Sequence, residues 1–524
     1  MRHRYALSFG KKIGAGIGVA IAFDTVLLGQ HMAGGIFGVL ELVLLGAALL
    51  VRPSLRRDWR ALVCFGLAGL MALAMIVMPS ILGWSLFWVF AGLGAMMPAT
   101  AHFGNAWCWA QRLVLHGLRS TIAPLLDLRH WLKVRRKRGG GHIRAALPQL
   151  ALPALGSAVI LGLFASANPV IEGWLADVFS LSPNGELVFR LGLGTIWFAF
   201  VWSLLRPRMA RGLIGTFDGS GDLAIAGVTP ASVRLSLIAF NSLFALQNAM
   251  DLAWLWGLAP LPKGMTLAQY AHRGAYPLIA TALLAAGFVL VALRPGSRTA
   301  ALPLVRRLVA VWVAQNVLLV GNAALRTMDY ITAYSLTQMR IAALLWMGLV
   351  ALGLVLVLWR MLVGKSAGWL INANAAAALT LLAGCSFVDL DAIAARYNVS
   401  HARELGGGGA PLDICYLQSM GPSALVSLAH LEVRPAPEPI HLWARLLRED
   451  AQVRTRDDLG RGNWSLLSVL RLAEVRGTLH NAALAPRYHQ YLDCHTRDIH
   501  ALRLELGLEG PVTAPAALTT EAKP

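Results

Sequence analysis

Ile341-Ala-Ala-Leu-Leu-Trp-Met-Gly-Leu-Val-Ala-Leu-Gly-Leu-Val-Leu-Val-Leu-Trp359 is an unbroken run of uncharged residues, closed by Arg340 on one side and Arg360 on the other. At about 1.5 Å of rise per residue, such a run folded as a helix is about as long as the roughly 30 Å hydrocarbon layer of a bilayer is thick. A backbone crossing that layer must satisfy its own hydrogen bonds, which makes helix the expected state. The rest of the chain agrees: 57% of its 524 residues are hydrophobic and 14% are charged, against about 25% charged in a soluble domain.

Working outward from 341–359, eleven segments read as spans: 13–29, 33–50, 61–78, 81–99, 149–167, 189–205, 235–256, 274–293, 308–325, 341–359 and 367–385. The expected fold class is an all-α integral membrane protein, a polytopic bundle of about eleven transmembrane helices with a polar C-terminal tail. Its divisions are a four-span unit (1–100), a basic loop (101–148), a seven-span core (149–385) and the tail (386–524). The first two spans are short and lie close together around Gln30-His31, as in a tight hairpin or an imperfectly spanning pair.

The net charge of +19 raises nucleic-acid binding, but its distribution fits topology better. Lys and Arg gather in cytoplasmic loops. With the N-terminus inside, the internal segments hold 27 of them and the short external loops only five: Arg190, Lys263, Arg273, Arg326 and Arg340. Adding or removing one span inverts every later loop and destroys the pattern. A bacterial cytoplasmic (inner) membrane location is expected, with the tail outside. No nucleic-acid partner is expected; membrane lipids are. Lys133, Arg135, Arg136, Lys137 and Arg138 form a patch suited to anionic headgroups, at about 1 kcal/mol per basic residue near the surface. The same patch also serves as a topology anchor. Before it, 107–118 is amphipathic enough to lie along the interface. No cleavable signal segment is evident in the first residues.

Five cysteines form no CxxC pair, so no zinc, cofactor or redox motif is expected. Leu382-Ala-Gly-Cys385 matches a lipoprotein box but ends the last span. In an oxidising exterior Cys415 and Cys494 can pair or stay free. In the tail, 422–431, 439–450 and 464–476 look helical, 406–409 reads as a flexible glycine break and 513–524 as frayed.

Polar side chains inside spans are costly and face bundle interiors or wet cavities. At about 100° per residue, Gln315, Asn322, Arg326 and Asp329 share a sector of the ninth span, while Asn241, Asn248 and Asp251 share a face of the seventh beside Gln247. Asp24, Tyr330, Arg340, His272 and Arg273 belong to the same external level. Two readings follow: an outward-facing polar cavity for a ligand, ion or lipid headgroup, and an interhelical network of contacts worth about 0.6–2 kcal/mol each. Enzyme signatures such as HExxH, GxSxG and a Walker A loop are missing. Gly215-Thr-Phe-Asp-Gly-Ser-Gly221 follows no strand and reads as a turn-rich loop. The tail's His489, Cys494, His495 and His500 read as a solvated helix.

Ala167-Asn-Pro169, Thr266-Leu-Ala-Gln-Tyr-Ala-His-Arg-Gly-Ala-Tyr276, Tyr334-Ser-Leu-Thr-Gln-Met-Arg-Ile341, Asp389 with Tyr397-Asn-Val399, and Leu412-Asp-Ile-Cys-Tyr-Leu417 resemble a bacterial membrane family catalogued as domain of unknown function 4173, related to family 4153. The likeness covers about residues 150–430. It departs from the family near the end, where Gly462-Asn-Trp464 replaces the usual stretch. The resemblance implies a multi-pass architecture and no established chemistry. His272, Arg273, Tyr330 and Arg340 are among its characteristic residues. The expected role is a non-enzymatic sensing, regulatory or scaffold protein. The alternatives are a transporter or lipid-handling protein and, third, a membrane enzyme using Asp251, His272 or Asp329.

Overall fold

Side-chain caps set where the long helices start in the computed structural model, which describes residues 2–29, 33–120, 122–136, 185–209, 213–215, 229–255, 287–288 and 297–479. Asp58, Ser80, Thr337 and Ser366 each accept a hydrogen bond from a backbone N–H of the first turn that follows. Such groups have no partner within their own helix. The chain forms two units, residues 1–214 and 215–524.

The first unit contains α1 (Arg2–Asp24), which continues as a π-helical turn (Thr25–Gly29), then α2 (Ile36–Val51), α3 (Trp59–Val77), α4 (Ile81–Met96), α5 (Ala106–Ser120), α6 (Ala123–Arg136) and α7 (Gly185–Leu205). Two glycines let the helices close on one another. A Cβ on Gly38 would stand 2.2 Å from the Ala72 carbonyl oxygen, and one on Gly94 would stand 2.4 Å from the Phe65 ring. Arg52 donates from Nη1 to the Leu204 carbonyl at 2.6 Å and from Nη2 to the Ala95 carbonyl at 2.9 Å. The C-terminal ends of α4 and α7 therefore meet at one guanidinium, and these two helices run in the same direction.

The second unit begins with α8 (Pro230–Leu255), α9 (Pro303–Tyr334), α10 (Gln338–Val363) and α11 (Ala367–Cys385). Val233, Leu237, Val305, Val309, Trp312, Leu354 and Val357 form its core, with Phe240, Phe244 and Phe288 around Trp312. Asn241 Nδ2 donates to the Leu308 carbonyl and Asn248 Nδ2 to the Gln315 carbonyl, and both pairs are 67 residues apart. A constant separation means that α8 and α9 are parallel.

Among the described residues, five helices are long and apolar enough to cross a membrane: α3, residues 81–99, α9, α10 and α11. Residues 36–51 and 192–205 form shorter apolar helices. Spans expected at 13–29 and 235–256 are helical as well, for the most part in α1 and α8. The spans expected at 149–167 and, apart from 287–288, at 274–293 lie outside the described residues. The all-α class is observed.

The tail is more organised than its polar composition suggests. It folds into α12 (Leu390–His401), α13 (Ile414–Ser419), α14 (Leu425–Val433), α15 (Glu438–Gly460) and α16 (Leu466–Thr478). Sequence reasoning finds α14 to α16 and misses α12 and α13, which are short and carry little amphipathic signal. Val399, Leu412, Leu417, Leu428, Trp443 and Leu447 build a core that also takes in Ile331 and Leu336 from the α9–α10 connection. The glycines expected to form a flexible break instead close a bonded turn. Gly407 N–H donates to the Ala402 carbonyl and Gly409 N–H to the His401 carbonyl, each at 2.9 Å. A Cβ on Gly407 would lie 2.4 Å from the His401 carbonyl oxygen, so glycine serves close approach here.

Candidate functional site

The parallel packing of α8 and α9 brings the expected polar faces together as a seam. Asn241 and Asn248 are two turns apart on one side of α8, and each spends its amide on backbone carbonyls: its own helix's, four residues earlier, and that of α9. Asn322 Nδ2 reaches Asn248 Oδ1 at 3.4 Å. The seam ends in an ion pair between Asp251 and Arg326, whose side chains are 5% and 8% exposed. Gln247 donates to the same carboxylate at 3.0 Å. Two charges removed from water repel burial unless each has a partner, and here both do. Gln315 Oε1 and Asn241 Oδ1 are buried in the seam without a hydrogen-bond partner.

Five of the expected site residues, Asn248, Asp251, Gln315, Asn322 and Arg326, thus share one seam. Asp329 is exposed on α9. Tyr330 and Arg340 form a second group at the α9–α10 connection. Arg340 lies 4.2 Å over the Tyr330 ring and donates to the Tyr334 carbonyl at 2.7 Å and to the Ser335 carbonyl. Ser335 has φ 69° and ψ 164°, a region that favours glycine and costs about 1–3 kcal/mol for another residue. Next to it, Asn398 of α12 acts as a surrogate backbone. Its Oδ1 accepts from Leu336 N–H at 2.7 Å and its Nδ2 donates to the Leu336 carbonyl at 2.9 Å. Tyr416 Oη accepts from Gln338 N–H at 3.2 Å. Asp24 belongs to the first unit, where its Oδ1 is buried without a partner. His272 and Arg273 lie outside the described residues, as do Lys137 and Arg138; Lys133, Arg135 and Arg136 fall in α6.

Several polar groups escaped the sequence reading. Glu41 sits 1% exposed within α2, and neither carboxylate oxygen has a partner. A lone acid inside Ile36-Phe-Gly-Val-Leu-Glu-Leu-Val was signal enough to find it. Asp127 of α6 accepts from Trp202 Nε1 at 3.0 Å and pairs with Arg206 and Arg208. In the tail, Arg448 is 1% exposed and binds Glu432, Glu449 and Gln452. Asp389 caps α12, accepts from Ser423 and pairs with Arg471. The pairings of Asp127 with Trp202 and of Asp389 with Arg471 join residues 75 and 82 positions apart, which spacing does not announce.

Electrostatics separate neighbouring acids in the tail. Burial opposes the charge on Asp389, but Arg471, the Ala392 N–H and Ser423 outweigh it and hold the carboxyl below its ordinary range. Burial, with Asp389 close by, pushes Asp391 upward. Burial also raises Tyr416, whose surroundings include Asp391, Arg340 and Asp413. On α5, burial followed by the charge of Arg52 lowers His116. A cleft of about 730 Å³ beside the N-terminus of α3 carries Arg57, Trp59, His102 and Phe103. Its Arg60 is spent on Asp58 and on the carbonyls of Thr100 and Ala101. No group of three or more metal-ligating side chains occurs among the described residues. The described helices therefore offer a bonded seam, a strained junction beside a helical module and, in Glu41, a buried acid with neither oxygen bonded.

No curated protein and no solved structure matches this chain. A family model matches residues 40–431, from α2 through the seam and the junction to α14, and so starts well before the expected 150. It belongs to the second of the two related families in the resemblance, not the first. The chain is therefore a member of the family described as Domain of unknown function (DUF4153).

Proposed function

We propose that this protein is a multi-pass inner-membrane protein with a sensing, regulatory or scaffold role, carried by its C-terminal helical module outside the membrane and coupled to the bundle through the Ser335 junction. The observation that carries the reading is the shared core. Ile331 and Leu336 at the end of the α9–α10 hairpin are part of the module's own interior, so a shift of the module pulls on two membrane helices. Ser335 is held in a strained conformation by Arg340 at the same place. Strain of this kind marks switch regions.

Eleven spans belong to this proposal, as does the nearer likeness to family 4173. The directions of the described helices support the count. The parallel run of α4 and α7 calls for an odd number of crossings between them, in keeping with the one span expected from sequence at 149–167. The parallel run of α8 and α9 calls for an odd number as well, in keeping with the one span expected from sequence at 274–293. Apolar residues exposed along α10, among them Trp346, Leu352, Val355 and Trp359, suit contact with lipid. A disulfide at Cys415 suits an extracytoplasmic tail, and the basic stretch from Lys133 suits anionic lipid headgroups on the cytoplasmic side.

A second reading, transport of an ion or amphiphile, draws support from the buried unpaired acceptors of Asn241 and Gln315 in the α8–α9 seam. Reconstitution separates the two. The regulatory reading predicts that proteoliposomes holding the full chain leak anionic dye and scramble labelled phospholipid no faster than empty vesicles. A flux that disappears on Arg326→Gln would replace it with transport.

A further inference from the structure

Glu41 stands apart from every other buried acid among the described residues. It lies in α2 with Gly38, Leu45 and Ala48 on the face that packs against α3. Gly38 allows a close approach in that contact, since a Cβ there would stand 2.2 Å from the Ala72 carbonyl oxygen and 2.7 Å from the Ile76 side chain. One turn further along α2, Glu41 is itself buried, and the partner helix α3 contributes the fully buried Ala68 and Ala72. The elements packed on α2 bring other titratable groups: Arg56 and Arg57 from the short helix Pro53–Arg57, Arg60 and Cys64 from α3, Lys11, Lys12 and Asp24 from α1, and Arg190 from α7. None of them hydrogen-bonds or ion-pairs with Glu41, whose two oxygens have no donor. An ionised carboxylate has no means of persisting in such a place without a cation or a donor, and a neutral carboxylic acid does.

We propose that Glu41 is a proton-binding site inside the membrane, held as a carboxylic acid in the α2–α3 interface and exchanging its proton with water when that interface opens. This reading does not depend on the role of the tail. A leucine fits the same helix and the same neighbours without the burden of an unpaired polar group, so the acid is accounted for by what it binds. The ligand is the smallest possible, which suits a helix pair that closes tightly one turn away at Gly38.

The test uses the full chain in lipid nanodiscs and two carbodiimides. Dicyclohexylcarbodiimide enters apolar surroundings and adds to protonated carboxyls. The carboxyl oxygen bonds to the carbodiimide carbon, the proton moves to a nitrogen, and the adduct rearranges to a stable N-acylurea with no atom lost. A water-soluble carbodiimide is the counter-probe. Peptide mapping at neutral pH should place the lipid-soluble adduct on Glu41, several-fold above the water-soluble one. Labelling should persist where ordinary carboxylates, which ionise near about pH 4, have stopped reacting. Glu41→Gln, a neutral group of nearly the same shape, should drop the signal to background with an unchanged gel-filtration profile. Absence of an adduct on Glu41 in the folded chain, equal labelling by both reagents, or loss of labelling through the ordinary carboxylate range would each overturn the proposal. The wild-type pH profile decides the matter even if the variant misfolds.

Discussion

Two buried acids in apolar helices meet opposite fates in this molecule. Asp251 ends a seam in which the side chains of α8 and α9 are bonded to one another or to backbone, and it faces Arg326. Glu41, in α2, faces apolar and small side chains and has no bonding partner. The contrast teaches what each is for. A paired charge is held by geometry and holds its helices in turn, whereas an unpaired acid contributes nothing to packing and is tolerated at a cost.

Mutations can break or sharpen that contrast. The largest effect should come from removing one partner of the seam. Arg326→Met leaves Asp251 buried without its counter-charge and should destabilise the chain by about 3–5 kcal/mol, while Asp251→Leu with Arg326→Leu should recover most of it. Unfolding in mixed micelles reads both. At the junction, Asn398→Ala removes two hydrogen bonds from Leu336 and should cost about 1–3 kcal/mol by the same assay, with faster proteolysis after Ser335. Glu41→Leu should go the other way and stabilise by about 1 kcal/mol or more, since it removes an unsatisfied buried group. Ser335→Gly should stabilise by a similar amount as the strain is relieved. The smallest effect concerns pH. Asp389 is held below its ordinary value of 3.8, so its contribution is fully present above that value and is lost below it, as the pH falls toward and through the lower value of the folded chain. Trp443 and Trp464 fluorescence should therefore report a module weakening below about pH 4, and Arg471→Met should flatten the dependence.

How much of this could be read from the sequence follows the range of each interaction. Charge-free runs such as 341–359 declare themselves, because crossing a bilayer is a local demand on about 20 consecutive residues. The helical spacing of Gln315, Asn322 and Arg326 was legible for the same reason, and so was the face of Asn248 and Asp251. That these two faces meet depends on the parallel packing of α8 and α9, to which helical spacing is blind. Arg340 was legible as a charge closing an apolar run, yet its place over Tyr330 and against the carbonyls of the Ser335 turn needed the fold. The tail was the hardest region. Its core joins Val399, Leu417, Leu428 and Trp443 to Leu336, and short helices with weak amphipathic patterns do not announce such long-range contacts. Glu41 is legible too, as the single acid of an otherwise apolar helix, whereas its lack of a bonding partner depends on the fold.

The most direct test of the contrast is infrared spectroscopy of the full chain in nanodiscs at neutral pH, comparing the carboxylic-acid carbonyl band of wild type with those of Glu41→Gln and Asp251→Asn. The account predicts that the band is present in the wild type, disappears in Glu41→Gln and survives in Asp251→Asn. A wild type without the band, or one that loses it only when Asp251 is replaced, would contradict it.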